Sequence, residues 1–233
     1  MKTVILNSGC SFSYSPKAWR DETFRERHVK FLSYCDYLPG TVYNIARPGI
    51  GIQLDITQRF LHRNRDLSLT HFIYQVPDPA RQPLDLEDHD DRYFQVGCES
   101  KPDVFLWRTL GGDSITRTGT ADQQFKIFAN HSKYLDKALD RVHKNVNLIR
   151  ETYPDIKVIF LRYTYIQPLI CEFSKTFYKD ILSNYCNKHN IKYINESNFN
   201  TTWFFQNDLT LDDRVHPNAS GAKLIANKII EFL

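Results

Sequence analysis

The sequence contains no long hydrophobic run. No stretch approaches the roughly 18 apolar residues that a membrane-spanning helix needs. The apolar run near the amino terminus, Val4 to Leu6, is far shorter than the core of a secretory signal peptide. We therefore expect a soluble, cytoplasmic protein with no membrane partner, while export by another route stays open.

Charge of one sign is also scarce. Lysine and arginine total 30 residues against 27 aspartate and glutamate residues, which leaves a formal net charge of +3. No run of five like charges occurs. A nucleic-acid-binding domain would carry a much denser positive charge. The sequence therefore predicts no nucleic-acid partner.

Cysteine is sparse and unpaired. The chain has five cysteines, and no two of them show C-x-x-C spacing. The odd number argues against a disulfide framework and favours a reducing compartment. His89 has acidic neighbours but no second histidine at ligand spacing, so we interpret its surroundings as a solvated acidic loop. We expect no metal and no organic cofactor.

What the sequence does contain is a regular alternation of β-rich and helical segments. The first predicted strand begins at Thr3, and the other four span 41–46, 70–76, 156–163 and 191–194. Helices are predicted at 25–38, 52–64, 128–153, 170–189 and 219–232, and an asparagine-rich loop follows the fifth strand. This alternation indicates βαβ units with helices on both faces of a parallel sheet. The predicted fold is a three-layer α/β/α sandwich with a five-stranded parallel sheet.

One segment interrupts this alternation. Residues 80–125 are rich in proline, glycine and acidic residues, with aromatic residues between them. A structureless connection of that length is improbable inside a compact domain. We interpret it as an insertion that forms a lid over the site, within a single domain that spans 1–233.

Three residues with catalytic chemistry follow strands of this predicted sheet. Ser11 follows the first strand, and Asp213 and His216 follow the fifth. The carboxyl ends of parallel strands share one edge, so these residues converge there. A serine nucleophile needs a base, histidine is the usual one, and a carboxylate orients it. Taken alone, Ser11 also fits a helix cap.

An ester hydrolase also needs donors for the oxyanion of its tetrahedral intermediate. The backbone N–H groups of Ser11 and Gly49 are the candidates, because glycine permits the close approach of a donor loop. Gly51 competes with Gly49 for this role. Both glycines lie in the turn after the second predicted strand.

The arrangement of these motifs resembles the SGNH (GDSL-type) hydrolase superfamily. Gly9-Cys10-Ser11 is similar to the Gly-Asp-Ser motif of that family, with Cys10 in place of the aspartate. The segment from Asn44 to Gly49 resembles its second block, and Asp213-Arg214-Val215-His216 resembles its Asp-x-x-His block. The resemblance implies a flavodoxin-like fold, Ser11 as the nucleophile and Gly49 as an oxyanion donor.

The third block of the family departs from its pattern here. The family has Gly-x-Asn-Asp after the third strand, and Gln75-Val76-Pro77-Asp78 occupies that place. Gln75 could replace the missing asparagine as an oxyanion donor, or it could be a buried amide satisfied by backbone. We include Asp78 and Arg81 among the substrate-binding candidates, although Arg81 could equally pair with a surface carboxylate. Cys10 could be a reactive thiol or a small buried filler.

The resemblance implies a serine esterase that acts on small acyl esters. An O-acetyl group on a carbohydrate is the substrate that the family analogy and the aromatic insertion favour. Two alternatives stay open: a binding or structural module with little turnover, and an acyltransferase that uses an alcohol acceptor. The sequence does not define an oligomeric state.

Overall fold

The computed structural model describes residues 2–10, 13, 33–46, 54–77, 131–163, 176–211 and 216–233. They contain a parallel sheet in the order β2-β1-β3-β4-β5. Its strands are β1 (Val4–Ser8), β2 (Thr41–Asn44), β3 (His71–Gln75), β4 (Lys157–Leu161) and β5 (Lys192–Ile194). The predicted five-stranded parallel sheet is confirmed, and its order is that of flavodoxin-like folds.

The central strands are buried on both faces. In β3, Phe72 and Tyr74 belong to one hydrophobic core, and Ile73 between them belongs to another. Because alternate residues of a strand point to opposite faces, the two cores lie on opposite sides of the sheet. Continuous apolar strands of this kind are typical of parallel sheets covered on both faces.

Helices cover each core. The first core packs against α1 (Asp55–Arg63), α2 (His131–Thr152) and α3 (Leu182–Lys188). A π-helical segment, Thr176–Ile181, leads directly into α3. The second core packs against a 3-10 helix (Tyr34–Tyr37), α4 (Thr201–Gln206) and α5 (Ala219–Ile230). The three predicted layers are therefore present.

Helix α4 corrects the predicted loop after the fifth strand. Asn200 caps this helix, because its side chain accepts a hydrogen bond from the Trp203 amide at 2.9 Å. Phe204 on its inner face is fully buried. Six residues are too few to show helical periodicity in a sequence, so the loop prediction was wrong for a physical reason.

Two other predictions fall wholly or partly outside the described residues. The insertion at 80–125 lies outside them. Of the helix predicted over 25–38, the described part contains the 3-10 helix Tyr34–Tyr37. None of the helices in the described ranges has the length and apolarity needed to cross a bilayer.

Candidate active site

One side chain ties the turn after β1 to the end of β3. Gln75 Oε1 accepts hydrogen bonds from the Cys10 amide (3.0 Å), from Cys10 Sγ (3.0 Å) and from Ser13 Oγ (3.3 Å). Gln75 Nε2 donates to the Val76 carbonyl at 3.2 Å. The Gln75 side chain is fully buried, so these bonds replace those it would make with water. The Ser13 amide also donates to the Cys10 carbonyl at 3.0 Å, which joins the two described residues on either side of Ser11 and Phe12 in the sequence.

Gly9 makes this contact possible. A Cβ at position 9 would lie 2.6 Å from Ser13 Oγ and 2.9 Å from Gln75 Cβ. Both distances are shorter than van der Waals contact, and Gln75 Cβ cannot move without its backbone. The glycine that opens the Gly9-Cys10-Ser11 motif therefore lets β3 approach the turn closely.

A buried polar network continues from Ser13 beneath the turn. The Tyr34 hydroxyl lies 2.7 Å from Asn7 Oδ1 and 2.9 Å from Ser13 Oγ. The Ser13 carbonyl accepts from Ser33 Oγ (2.8 Å) and from Asn44 Nδ2 (2.7 Å). Asn7 Nδ2 donates to Asn44 Oδ1 at 2.9 Å. These bonds join β1, β2 and the 3-10 helix at one point below the turn.

The network is electrically neutral where it meets the turn. Burial raises the pKa of the Tyr34 phenol well above its ordinary value, and nearby Cys35 acts in the same direction. The hydroxyl therefore keeps its proton and can donate. Amides and hydroxyls dominate this cluster, and within the described ranges no group of three histidine, cysteine, aspartate or glutamate side chains is placed to hold a metal ion.

His216 lies in a bend of the backbone, and this bend is hydrogen-bonded to the segment that precedes it in the sequence. The His216 carbonyl accepts from the Leu211 amide at 2.8 Å. Thr210 and Pro217 form an isolated antiparallel bridge. The backbone that carries the imidazole is thus held by strand-like pairing, as the positioning of a catalytic base requires.

Asn218 fixes the other side of this bend. Its Oδ1 accepts from the Gly221 amide at 3.0 Å, which caps α5. Its Nδ2 donates to the carbonyls of Asp208 (2.7 Å) and Thr210 (3.2 Å). One side chain therefore joins the start of α5 to the segment that pairs with His216.

The packing of α5 leads us to infer that His216 and the turn after β1 lie on one face and at one edge of the sheet. Cys10 and Ile225 of α5 belong to the same hydrophobic core. The backbone of Leu233, beyond the end of α5, lies near the side chain of His71 at the start of β3, without a hydrogen bond to it. Twelve helical residues span about 18 Å and five strand residues about 17 Å. The amino end of α5 therefore lies beside the carboxyl end of β3, where Gln75 is.

Of the residues predicted for the site, Gln75 and His216 are the two that the structure describes. The other five lie outside the described residues, so their roles stay predictions: Ser11, Gly49, Asp78, Arg81 and Asp213. The bonds of Gln75 are those expected of a buried, satisfied amide. A role as an oxyanion donor would need the second hydrogen of Nε2, and it also stays a prediction.

Sequence reasoning missed four members of the network: Asn7, Ser13, Ser33 and Tyr34. For Asn7, the sequence contained one feature that could have identified it. Asn7 interrupts an apolar strand that was predicted to be buried, and its side chain is fully buried. A polar side chain in such a place needs hydrogen-bond partners. Cys10 is also buried, which fits its interpretation as a filler whose thiol donates a hydrogen bond.

The strand order and the likeness to solved structures define the class of fold. The chain has the fold of the SGNH (GDSL-type) hydrolases. A psychrotrophic esterase from Pseudoalteromonas, inhibited by monoethylphosphonate, is 13% identical, with a TM-score of 0.50 over 98% of this chain and 95% of that one.

Two further solved structures share this fold. A lipolytic protein of the G-D-S-L family from Desulfitobacterium hafniense is 15% identical, with a TM-score of 0.51 over 99% of each chain. Phospholipase A1 from Streptomyces albidoflavus is 12% identical, with a TM-score of 0.54 over 100% of this chain and 99% of that one. No family model and no curated protein matches the chain. The likeness is therefore one of fold.

Proposed function

We propose that the protein is a serine esterase that hydrolyses small acyl esters. Ser11 attacks the acyl carbonyl, and His216 takes the proton from its hydroxyl and returns it to the leaving alcohol. Asp213 orients the imidazole of His216. Backbone N–H groups of Ser11 and Gly49 stabilise the oxyanion. Water, activated by His216, then releases the acid from the acyl-enzyme.

The observation that carries this proposal is the shared location of His216 and the turn next to Ser11. We infer from the packing of α5 that both lie at the carboxyl edge of the sheet and on the same face, although more than 200 residues separate them. The turn lies between β1 and β3, whose chain connections leave in opposite directions, and ligands bind at such switch points. The structural neighbours described above, an esterase, a lipolytic protein and a phospholipase, support the same reaction class.

The decisive experiment compares the hydrolysis of 4-nitrophenyl acetate by the wild type, Ser11→Ala and Ser197→Ala. Ser197 is exposed and is not among the residues predicted for the site, so it is the matched control. We expect Ser11→Ala to lose at least a thousandfold in kcat/KM, since the nucleophile is gone. A fluorophosphonate should label the wild type and Ser197→Ala on Ser11. Equal rates in all three proteins, or no labelling of Ser11, would overturn the proposal.

For the substrate, we propose an O-acetyl group on a carbohydrate. The support is the family analogy and four aromatic residues of the insertion that could stack on sugar rings: Tyr93, Phe94, Phe105 and Trp107. Acetate release from glucose pentaacetate, compared with release from an alkyl acetate of similar solubility, tests this choice. A kcat/KM that favours the alkyl acetate would contradict it.

A second function is favoured by one observation at the end of β3. Pro77 occupies the place of the asparagine whose side chain donates to the oxyanion in the SGNH family. Loss of one such donor costs about 10²–10³ in rate. A glycan-binding module with little turnover would therefore bind an acetylated sugar and leave its acetyl groups in place over long incubation. An acyltransferase would instead yield a new ester when an alcohol acceptor is added.

A further inference from the structure

Arg162 carries a positive charge without a described counterion at the carboxyl edge of the sheet. It follows β4 directly, and its half-buried guanidinium donates from Nη1 to Asn195 Oδ1 at 2.8 Å. The guanidinium lies over the Tyr178 ring, 5.6 Å from the centroid. Its Nε is buried and has no hydrogen-bond partner, and the ion pairs of the described residues do not include it. Partial burial of a charge without a counterion costs free energy, and a bound anion would offset that cost.

A chain of contacts connects this guanidinium to the candidate active site. The Tyr178 hydroxyl donates to the Val76 carbonyl at 3.0 Å. The same carbonyl accepts from Gln75 Nε2, and Gln75 holds Cys10. Strands β1, β3 and β4 are neighbours in that order, so the ends of β1 and β4 are about 10 Å apart. Arg162 therefore lies at the same edge as the turn after β1.

We propose that Arg162 binds an anionic group, a carboxylate or a phosphate, of the ester substrate. The proposal rests on the esterase function proposed above. Arginine presents a planar fork of donors that matches both anions. Asn195 and Tyr178 hold this fork in place, which lowers the entropy lost on binding. The distance between the strand ends places the anionic group several bonds from the ester that Ser11 attacks.

The first test compares pairs of 4-nitrophenyl esters that differ in charge alone. Monoesters of dicarboxylic acids, from glutarate to suberate, are each paired with the neutral fatty acyl ester of equal chain length. We expect kcat/KM to favour the charged ester in at least one pair. Arg162→Gln should reduce that preference by about ten- to hundredfold. Arg162→Lys keeps the charge without the fork and should retain part of it.

The matched control is Arg63→Gln, because Arg63 is an exposed arginine at the end of α1. It should keep the full preference for the charged ester. An equal change in Arg63→Gln and Arg162→Gln would mean a general charge effect and would overturn the proposal. Circular dichroism checks that each variant is folded, and Arg162→Lys carries the test if Arg162→Gln does not fold.

A second test separates the anion site from the esterase function. Binding of inorganic phosphate and of glutarate to the wild type and to Arg162→Gln is measured by calorimetry, which needs no turnover, and the tighter anion identifies the preferred group. Arg162-dependent binding without ester hydrolysis would support the anion site and refute the esterase. The protein could instead hydrolyse neutral esters, show no preference for charged esters and bind neither anion. This result would support the esterase function and overturn the role of Arg162.

Discussion

Cys10 and Gln75 are in contact, and in the resemblance described above they stand where two SGNH motifs have an aspartate and a glycine. The Cys10 amide and Sγ each lie 3.0 Å from Gln75 Oε1. An aspartate at position 10 would bring a carboxylate close to this oxygen, and two acceptors without a hydrogen between them repel. A glycine at position 75 would leave the Cys10 N–H without this acceptor. We infer that each replacement accommodates the other.

A double-mutant cycle tests this relationship. Cys10→Asp and Gln75→Gly should each destabilise the protein by about 2–4 kcal/mol, because each leaves a buried polar group without its partner. The double variant restores an aspartate–glycine pair, and we expect it to lose at least about 1 kcal/mol less than the sum of the single variants. Urea unfolding of the wild type and of the three variants gives the three losses in free energy. Additive losses would show that the two positions are independent.

Gly9→Ala should disturb the geometry of the turn after β1 more than it lowers the stability of the fold. The new Cβ would press on Ser13 Oγ and Gln75 Cβ, so the turn has to move away from β3. We expect a loss of about 1–3 kcal/mol in unfolding free energy, as for overpacking elsewhere. Since the protein would remain folded at 25 °C, the hydrolysis of 4-nitrophenyl acetate should fall by a factor much larger than the unfolded fraction explains. Wild-type activity in this variant would show that the turn tolerates the displacement.

The sheet could be predicted because its strands are short apolar runs bounded by turn residues. Each of β1, β3 and β4 is buried on both faces, so each contains a run of three or four apolar residues without alternation. The last helix was equally clear, since α5 combines an asparagine cap with an apolar stripe. Helix α4 was missed because its signal is local: one cap residue, Asn200, and one buried ring, Phe204.

For Gln75 and His216, the two predicted site residues that the structure describes, a place in the fold could be predicted from the sequence and their contacts could not. His216 could be placed at the carboxyl edge because a parallel sheet collects all such ends there. The bonds of Gln75 could not be predicted, since Cys10 lies 65 residues away in the sequence and the orientation of an amide depends on its neighbours in space. The same holds for Tyr34, whose partners Asn7 and Ser13 are set by packing on the second core.

Asn218→Ala should separate the positioning of His216 from general stability. It removes the cap of α5 and the bonds to Asp208 and Thr210, so we expect a loss of about 1–2 kcal/mol and a fall in kcat of tenfold or more. Asn200→Ala is the matched control, because Asn200 caps α4 in the same way. It should lose similar stability in urea unfolding and keep kcat. A similar fall in kcat in both variants would rule out a specific role for Asn218.

Stability should fall in alkaline solution, and Tyr34 should account for part of the fall. Burial raises the pKa of Tyr34 well above its ordinary value of 10.0, and burial likewise raises the pKa of Tyr185 to about 12. The unfolded chain loses these protons near pH 10 while the folded protein keeps them. The stabilisation is therefore complete below pH 10 and is lost as the pH rises towards the folded-state pKa.

Each retained proton contributes about 1.4 kcal/mol per pH unit to this slope. Tyr34→Phe removes one such proton, and it also removes the hydroxyl that meets Asn7 and Ser13. We expect this variant to be about 1–2 kcal/mol less stable at pH 7, because Asn7 and Ser13 lose a buried partner. Between pH 10 and 11 its unfolding free energy should fall less steeply with pH than that of the wild type. The difference between the two slopes should correspond to about one proton. Urea unfolding at half-unit steps from pH 7 to 11 measures both quantities. Parallel slopes would show that Tyr34 ionises in the folded protein as it does in the unfolded chain, and that its hydroxyl is reached by water.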